Sequence, residues 1–270
     1  MRLCRYAVGS GAAAEVGFGV VEGAGPDGLD SGAVVAAVDG HPFAPFSLTG
    51  VRHSLAAVRL LAPVLPSKIV CVGKNYADHA REMGSATGTE TPVTPIIFLK
   101  PSTSVVGPGD AIAHPRDSER VDYEGELAVV ISRLCRDVPR ERAADVVLGF
   151  TIANDVTARD QQQTDGQWTR AKGHDTFCPL GPWVDTDVDP ADLRLETRLD
   201  GEVVQSARTS LMLHDVAGLI AFVTSFATLL PGDVLLTGTP AGVGAMRPGQ
   251  RVDVTVGGIG TLSNPVVARG

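Results

Sequence analysis

The sequence predicts an α+β fold in which strands predominate, helices are few, and a small, mainly β domain stands at the N-terminus. Residues 1–65 carry short strand-like runs separated by glycine, namely Arg2–Val8, Val16–Glu22 and Ala33–Val38. Near the C-terminus, Arg251–Val256 alternates between polar and apolar residues, and Gly257-Gly258 returns the chain as a closing hairpin. The best amphipathic helix lies within Leu211–Leu230, where apolar residues follow the helical period.

Composition and charge limit the classes of protein to which the chain can belong. The chain has 270 residues, of which 44% are hydrophobic and 20% are charged, as in globular proteins. Its formal net charge of -8 argues against nucleic acid as a partner. The apolar runs are too short to span a bilayer, and the start, MRLCRYAVGSG, lacks the apolar core of a signal peptide. The four cysteines are widely spaced and typical of reduced thiols, so we expect a cytoplasmic protein. From the net charge and the short apolar runs we expect no nucleic-acid or membrane partner.

Glycine and proline signals predict two domains. We expect a helix near His53–Leu61 that runs into Ala-Pro-Val-Leu-Pro, which is a boundary signal. The predicted division is 1–65 for the N-terminal β domain and 66–270 for the larger domain. Within the larger domain we expect a helix over roughly Arg140–Leu148 and a hairpin over Asp189–Val204.

The run Val121–Val130, VDYEGELAVV, is largely apolar but carries two carboxylates. Because alternate side chains of a strand share a face, Glu124 and Glu126 would lie side by side. Two buried anions are costly unless a cation lies between them, although a surface strand with a polar face would give the same pattern. Asp155, at the end of the predicted strand Phe150–Ala153, is a candidate third ligand. Two Glu and one Asp form an all-oxygen set that suits Mg²⁺, Mn²⁺ or Ca²⁺ rather than zinc.

A predicted short helix carries a candidate proton-transfer pair. In KNYADHAREMG, Asn75 would cap the helix and Gly84 would end it. His79 and Glu82 are three residues apart and would be neighbours. A carboxylate beside an imidazole orients it and raises its basicity, which suits a general base, and an ordinary surface pair is the alternative. The segment Gly84–Pro95 is rich in Gly, Thr and Pro, so we expect it to be mobile and the short helix attached to it to act as a lid.

Two cations and a glycine-rich turn complete the candidate site. Three carboxylates on one dication leave a negative site, which Arg159 and Lys172 would balance. Lys172 would reach a substrate carboxylate, or else it is a solvated surface lysine. The turn Gly238–Gly244 is not a phosphate loop, because the terminal Gly-Lys-Ser/Thr is missing. Its amides and Thr239 would hold a carboxylate or an enolate oxygen.

Six motifs together resemble a known family. In order they are VGKNYADHAREM, FLKPSTSVVGPGD, VDYEGELAVVI, GFTIANDVTARDQQ, AKGHDTFCPLGPWV and LLPGDVLLTGTPAGVG. They closely resemble the fumarylacetoacetate hydrolase family over roughly Lys68 to Pro265, and the N-terminal segment resembles the small extra domain of many bacterial members. The most similar branches are the 2-hydroxyhepta-2,4-diene-1,7-dioate isomerases and the acylpyruvases and oxaloacetate decarboxylases. The resemblance implies a mixed β-roll or sandwich core and a homodimer.

The resemblance also implies roles for the candidate residues. The predicted metal ligands, usually for Mg²⁺ or Mn²⁺, are Glu124, Glu126 and Asp155. The dyad His79–Glu82 would activate water or move a proton on a helix that orders when substrate binds, and Lys172 would contact substrate. The predicted substrate-binding set is Gln162, Arg159, Gly238 and Thr239. Fine specificity would lie in the loops Gly84–Pro95 and Asp160–Arg170.

The chemistry implied by the resemblance acts on 2-oxo acids. The metal would chelate the 2-oxo group and its carboxylate, and would stabilise the enolate that forms when a C–C bond breaks or a proton leaves. Water activated by the dyad gives hydrolysis of an acylpyruvate-type substrate, and loss of CO₂ gives oxaloacetate decarboxylation. Reprotonation elsewhere gives isomerisation of 2-hydroxyhepta-2,4-diene-1,7-dioate in aromatic catabolism. The non-enzymatic alternative is a binding protein with a structural metal, against which the dyad and Lys172 weigh.

Overall fold

The structure is a computed structural model and describes residues 1–25, 28–87 and 93–269. Strands predominate in these residues, as expected from the many short runs rich in valine, isoleucine and leucine. In chain order the strands are β1 (Arg2–Val8), β2 (Glu15–Gly25), β3 (Gly28–Asp39), β4 (Ser47–Ser54), β5 (Arg59–Leu61), β6 (Ile69–Gly73), β7 (Ile96–Lys100), β8 (Val105–Val106), β9 (Ile112–His114), β10 (Val121–Tyr123), β11 (Gly125–Ile131), β12 (Val147–Asn154), β13 (Thr157–Ala158), β14 (Cys178–Asp185), β15 (Arg194–Leu199), β16 (Glu202–Arg208), β17 (Val234–Leu236), β18 (Gly244–Met246), β19 (Arg251–Val256) and β20 (Gly260–Ala268).

The helices are few and short. They are α1 (Ala77–Thr87), α2 (Arg159–Thr164), α3 (Thr169–Gly173) and α4 (Val216–Phe226). Short 3₁₀ helices occur at Gly11–Ala13, Leu55–Ala57, Ser102–Ser104, Arg140–Val146, Pro190–Asp192 and Thr209–Leu211. The longest apolar helix, α4, is capped by Asp215, whose carboxylate accepts a hydrogen bond from Gly218 N at 2.9 Å. The predicted α+β class, with mixed sheets and few helices, is confirmed.

One large sheet contains most of the strands that position the site. Its order is β4-β3-β2-β1-β14-β12-β11-β17-β6-β7, with β5 beside β1 and β8 beside β14. The N-terminal strands enter this sheet through the antiparallel pairing of β1 with β14. Because one sheet runs across the predicted boundary, the division into 1–65 and 66–270 stays a prediction.

The core lies on both faces of β11. Two further sheets have the orders β16-β15-β19-β20-β9 and β13-β10-β18. Leu127 and Val129 of β11 point into the cluster that includes the apolar side chains of β15 and β19, whereas Ala128 and Val130 belong to a second cluster on the other face. The alternation of strand side chains explains this division, and all of β11 is buried, as the apolar run predicts.

Several local predictions differ from the structure. The run Val121–Val130 is not one strand, because β10 and β11 belong to different sheets and meet at Glu124. The helix expected near His53–Leu61 is wrong, since this segment contains the end of β4, a 3₁₀ turn and β5. Leu61 pairs with Arg5 of β1, so sheet pairing overrides the local helical preference.

The segment predicted to be mobile lies partly outside the described residues. Helix α1 does not end at Gly84 but continues to Thr87, and residues 88–92 of the segment Gly84–Pro95 are outside the described part of the chain. In the described ranges no helix combines the length and apolar character needed to cross a bilayer. The four cysteines are buried thiols that form no disulfide.

Candidate active site

The three acidic side chains converge where β10 meets β11 and where β12 ends. Glu124 lies between β10 and β11, Glu126 lies in β11, and Asp155 follows β12. The backbone N–H of Glu124 donates to Asn154 Oδ1 at 2.9 Å, and the N–H of Asp155 donates to the Glu124 carbonyl at 2.8 Å. These bonds hold two segments that are thirty residues apart in sequence in a fixed relation. All three carboxylates are buried.

The three carboxylates fit a hard divalent cation. Each offers an oxygen that lies within 4.8 Å of the oxygens of the other two. Asp155 Oδ1 is buried and accepts no hydrogen bond. Buried carboxylates at this spacing repel one another and need a cation. An all-carboxylate oxygen set is suited to Mg²⁺, Mn²⁺ or Ca²⁺.

Lys172 supplies one positive charge to this cluster from α3. Its Nζ donates to Glu124 Oε2 at 2.8 Å and to Asp155 Oδ2 at 2.7 Å. The ammonium also lies 4.8 Å from the centroid of the Phe98 ring, within the range of a cation–π interaction. Burial opposes the charge on Lys172, but Asp155 and Glu124 outweigh it and raise the pKa of the amine. Lys172 is therefore a buried cation and not a solvated surface lysine.

Arg159 supplies a second positive charge from the first residue of α2. Its Nη2 donates to Glu124 Oε1 at 2.5 Å, and its Nε donates to Asp122 Oδ2 at 2.9 Å. Its Nη1 donates to Gln162 Oε1 at 2.5 Å, which orients that amide. Asp122 also accepts from Arg120, so the acid behind Glu124 is held from two sides.

The two glutamates of the cluster differ in ionisation. Burial raises the pKa of Glu124, but the adjacent Lys172 and Arg159 outweigh it and hold this pKa well below its usual range. Burial and the neighbouring Asp155 and Glu124 instead raise the pKa of Glu126 well above its usual range. Glu126 Oε2 accepts a hydrogen bond from Gly238 N at 2.6 Å. Of the two glutamates, Glu126 is thus the one without a described cationic side chain bonded to it, and a bound dication would provide the missing positive charge.

His79 and Glu82 form a pair on α1. Glu82 Oε2 lies 3.4 Å from His79 Nδ1 and accepts a hydrogen bond from Gly242 N at 3.2 Å. His79 is only 5% exposed, and burial lowers the pKa of its imidazole despite the nearby Glu124. The ring is therefore neutral at neutral pH and can accept a proton. With Glu82 holding Nδ1, the free lone pair lies on Nε2.

A cavity of about 550 Å³ joins these groups. Its lining includes His79, the three carboxylates, Arg159, Gln162, Lys172 and Thr239. Glu82 and Gly238 of the predicted site contact lining residues, namely His79 and Glu126. Thr239 Oγ1 donates to Gly125 O at 2.9 Å and accepts from Gln205 Nε2 at 2.8 Å, so its proton is already engaged. The structure thus brings the residues predicted from separate motifs to one cavity, and their roles stay predictions.

Sequence reasoning missed a fully buried lysine behind the cluster. Lys100 Nζ donates to the carbonyls of Val156, Lys172 and Phe177 at 3.0, 2.6 and 2.8 Å. It also lies 2.8 Å from Asp155 Oδ1. The three carbonyls take its N–H bonds, so Asp155 receives electrostatic attraction from Lys100 but no hydrogen bond. The only sequence signal was a lysine that closes an apolar strand.

Sequence reasoning also missed Lys74, which follows β6 and lines the cavity. Its φ of 57° lies in the left-handed region. For a residue with a Cβ this conformation costs about 1 kcal/mol or more and persists only when the surroundings enforce it. Trp168 and Phe98 line the same wall, with ring centroids 5.3 Å apart. No sequence pattern distinguished Lys74 from an exposed loop lysine.

The chain matches two family models. Residues 68–267 match the model described as fumarylacetoacetate (FAA) hydrolase C-terminal, and residues 1–63 match the model described as Rv2993c-like, N-terminal. Among curated relatives, protein Rv2993c of Mycobacterium tuberculosis is 58% identical over 233 residues, which cover 85% of this chain and 86% of the relative. The mitochondrial oxaloacetate tautomerase Fahd2a of Rattus norvegicus is 44% identical over 242 residues, which cover 82% of this chain and 76% of the relative.

Solved structures show the same fold. The crystal structure of 2-hydroxyhepta-2,4-diene-1,7-dioate isomerase from Mycobacterium marinum has a TM-score of 0.89 and 52% identity, and covers 100% of this chain and 99% of that one. The structure of maleylpyruvate hydrolase from Sphingobium sp. SYK-6, in complex with manganese (II) ion and pyruvate, has a TM-score of 0.78 and 30% identity over 100% of both chains. These likenesses extend over the whole chain, including the N-terminal strands.

Proposed function

The chain belongs to the fumarylacetoacetate (FAA) hydrolase C-terminal family, and we propose that it is a divalent-cation-dependent enzyme that cleaves a C–C bond of a 2-oxo acid. The reaction is hydrolysis of an acylpyruvate-type substrate or decarboxylation of oxaloacetate. The observation that carries the proposal is the buried carboxylate cluster beside a neutral, buried imidazole in one cavity. A structural metal site in a binding protein would need neither the His79–Glu82 pair nor the buried Lys172.

Glu124, Glu126 and Asp155 would hold the cation, for which Mg²⁺ and Mn²⁺ are the candidates. Bound there, the cation would supply Lewis-acid stabilisation of the negative charge that develops on the 2-oxo oxygen. Lys172 provides a fixed positive charge at the same end of the cavity, where it binds and orients the substrate carboxylate. The burial of these groups strengthens their electrostatic effect, because little water is present to screen it.

His79 is the proton carrier of the proposed reaction. In hydrolysis, its Nε2 takes a proton from water, and the resulting hydroxide adds to the carbonyl carbon distal to the 2-oxo group. The bond between this carbonyl carbon and the carbon next to the 2-oxo group then breaks, and the imidazolium gives its proton to the latter carbon, which has become part of an enolate. Glu82 holds Nδ1 and stabilises the imidazolium.

Isomerisation or tautomerisation of a 2-oxo acid is the second candidate function. It needs the same stabilised enolate but no attacking water, so a single proton carrier such as His79 suffices. Relatives named as an oxaloacetate tautomerase and a 2-hydroxyhepta-2,4-diene-1,7-dioate isomerase favour it. Deuterium uptake from D₂O into recovered substrate, without release of pyruvate or CO₂, would distinguish this activity from C–C cleavage.

The test combines Mn²⁺ binding with turnover of an oxo-acid panel. The panel contains oxaloacetate, acylpyruvates, fumarylpyruvate and hydroxyheptadienedioate, each assayed with Mg²⁺ and Mn²⁺. Asp155→Ala should abolish both Mn²⁺ binding and turnover, whereas the exposed Asp145→Ala should change neither. His79→Ala should retain Mn²⁺ but lower hydrolysis by about 10²–10⁴-fold, compared with the control His41→Ala. Full hydrolytic activity in His79→Ala would refute the assignment of His79, and a metal-loaded protein inactive on the whole panel would favour the non-enzymatic alternative.

Two features of organisation belong to the same proposal. We propose a homodimer and a separate N-terminal unit of residues 1–65. Light scattering of the purified chain tests the first, with a monomeric mass contradicting it. Proteolysis tests the second, because a boundary near residue 65 should be cut before the strands of the large sheet.

A further inference from the structure

The glycine-rich turn that follows β17 joins the carboxylate cluster to the proton-transfer pair. Gly238 N donates to Glu126 Oε2 at 2.6 Å, and Gly242 N donates to Glu82 Oε2 at 3.2 Å. Thr239 lies between these two contacts along the chain and lines the cavity. A Cβ on Gly242 would lie only 2.2 Å from a carbonyl oxygen of β16, so the turn is packed directly against that strand. Thr239 therefore has a fixed place on the cavity wall, on a turn bonded to both groups.

A buried glutamine of β16 fixes the direction of the hydrogen bonds around Thr239. Gln205 is 1% exposed, and its Oε1 accepts a hydrogen bond from Gly125 N at 3.0 Å. Its Nε2 donates to Pro240 O at 2.9 Å and to Thr239 Oγ1 at 2.8 Å. A backbone N–H can only donate and a backbone carbonyl can only accept, so the amide cannot be turned over without losing both backbone bonds. In the bond between Gln205 and Thr239, the glutamine is therefore the donor.

The hydroxyl of Thr239 is thereby left as an acceptor. Its single proton is donated to Gly125 O at 2.9 Å, and one of its two lone pairs accepts from Gln205. Among the described residues no further donor is bonded to Oγ1. A group that bonds to this oxygen from the cavity must therefore supply the proton of the bond. A carboxylate or an enolate oxygen has only lone pairs to offer and would be repelled.

We propose that Thr239 accepts a hydrogen bond from the water that attacks the substrate, and that Gln205 is the positioning residue that keeps Thr239 an acceptor. The inference rests on the proposed function, in which His79 activates this water. A 2-oxo acid in its keto form offers only acceptor oxygens at neutral pH, so water is the donor that hydrolysis brings to the cavity.

Two acceptors on the cavity wall orient such a water. His79 and Thr239 both line the cavity. With one proton directed to His79 Nε2 and the other to Thr239 Oγ1, a lone pair of the water oxygen is left to face the carbonyl carbon. When His79 takes its proton, the hydroxide keeps the proton that it shares with Thr239 and adds to that carbon.

The test compares a reaction that consumes water with one that does not. Release of acetate and pyruvate from acetylpyruvate measures hydrolysis, and release of CO₂ from oxaloacetate measures decarboxylation. In Thr239→Val, kcat for hydrolysis should fall about tenfold, as expected for loss of one hydrogen bond in the transition state. The KM for acetylpyruvate and kcat for decarboxylation should both stay within about threefold. Thr239→Ser keeps the hydroxyl and should retain hydrolysis, and the exposed Thr49→Val should change neither reaction.

Two further variants separate this role from a loss of structure. Thr239→Ala removes the hydroxyl from a smaller side chain and should give the same ratio of hydrolysis to decarboxylation as Thr239→Val. Gln205→Met removes the donor to Thr239 and frees the threonine proton to turn toward the cavity, so this ratio should fall about fivefold or more. Because both reactions use the same carboxylate cluster, a loss of folded protein or of bound cation lowers both rates and leaves the ratio unchanged.

The outcomes are distinguishable. A wild-type ratio in Thr239→Val overturns the role of Thr239, and a wild-type ratio in Gln205→Met overturns that of Gln205. A fall in decarboxylation alone overturns the role of water and identifies the donor as the enol hydroxyl of the substrate. In a wild type without decarboxylase activity, a fall in kcat at constant KM that Thr239→Ser restores supports the role, and an unchanged kcat overturns it.

The activity of the wild type separates this inference from the proposed function. A wild type that decarboxylates oxaloacetate but hydrolyses no acylpyruvate overturns the inference and leaves the proposed function intact. A wild type that turns over neither acid overturns both.

Discussion

Gly125 separates the two glutamates of the cluster and packs against β15 and β19 with no room for a side chain. A Cβ at this position would lie 2.2 Å from Thr197 Oγ1 and 2.9 Å from Val254 Cγ1. Ordinary contacts begin near 3.4 Å, so Gly125→Ala requires a shift of about 1 Å in a buried strand. Overpacking of this kind costs about 1–3 kcal/mol. The gain from restricting the unfolded chain offsets about 0.4–1 kcal/mol of that cost.

The net expectation for Gly125→Ala is about 1–2 kcal/mol of destabilisation, or a fall in Tm of about 2–8 °C. Because Glu124 and Glu126 flank the displaced residue, Mn²⁺ affinity should fall about tenfold or more. Thermal unfolding and calorimetric titration measure the two effects. Gly32→Ala is the matched control, since a Cβ there meets nothing within 4 Å.

The reasoning would be refuted if Gly125→Ala unfolded within about 1 °C of the wild type and bound Mn²⁺ with unchanged affinity. That result would mean that the contact with Thr197 and Val254 does not fix the position of the glutamates. A loss of stability with unchanged Mn²⁺ affinity would show that the packing is strained but that the cluster adjusts to it.

Three further predictions concern the buried charges. Arg159→Met leaves the carboxylates of Asp122 and Glu124 buried without this partner, so the free energy of unfolding without metal should fall by about 3–5 kcal/mol. Mn²⁺ should restore part of this loss. A decrease of less than about 1 kcal/mol would contradict the pairing. Lys100→Met removes the donor to three buried carbonyls, so the free energy of unfolding measured in denaturant should fall by at least about 3 kcal/mol. A nearly unchanged free energy of unfolding would argue against those hydrogen bonds. Burial lowers the pKa of His79 below its ordinary 6.5, and a neutral imidazole is the form that accepts a proton. As pH falls, kcat/KM for hydrolysis should therefore drop to half its plateau value only below pH 6.5, and a midpoint above pH 6.5 would contradict this.

Local pattern was enough to predict many of the strands. β1 and β19 have the predicted bounds, and the hairpin of β15 and β16 turns at Asp200-Gly201. Side-chain alternation and turn residues are properties of a few adjacent positions, so a single sequence reveals them. The helix expected near His53–Leu61 failed because pairing with β1, a distant contact, decided the conformation there.

The chemistry-bearing residues were predictable to the extent that each sits in its own motif. Glu124 and Glu126 were visible as acids in an apolar run, and Asp155 was visible as an acid at a strand end. The sequence by itself predicted an all-oxygen ligand set and therefore the class of cation that such a set would bind. It also determined that His79 and Glu82 are neighbours, because three residues is nearly one helical turn.

Only the tertiary structure decided which charges are buried together. Lys100 donates hydrogen bonds to carbonyls that are 56, 72 and 77 residues away along the chain. Arg159 donates to Asp122 and Glu124, which are 37 and 35 residues away. Electrostatic energy depends on distance and on burial, and neither can be read from spacing along the chain. The fold therefore decides that Lys172 is a buried cation and that Glu126 resists ionisation.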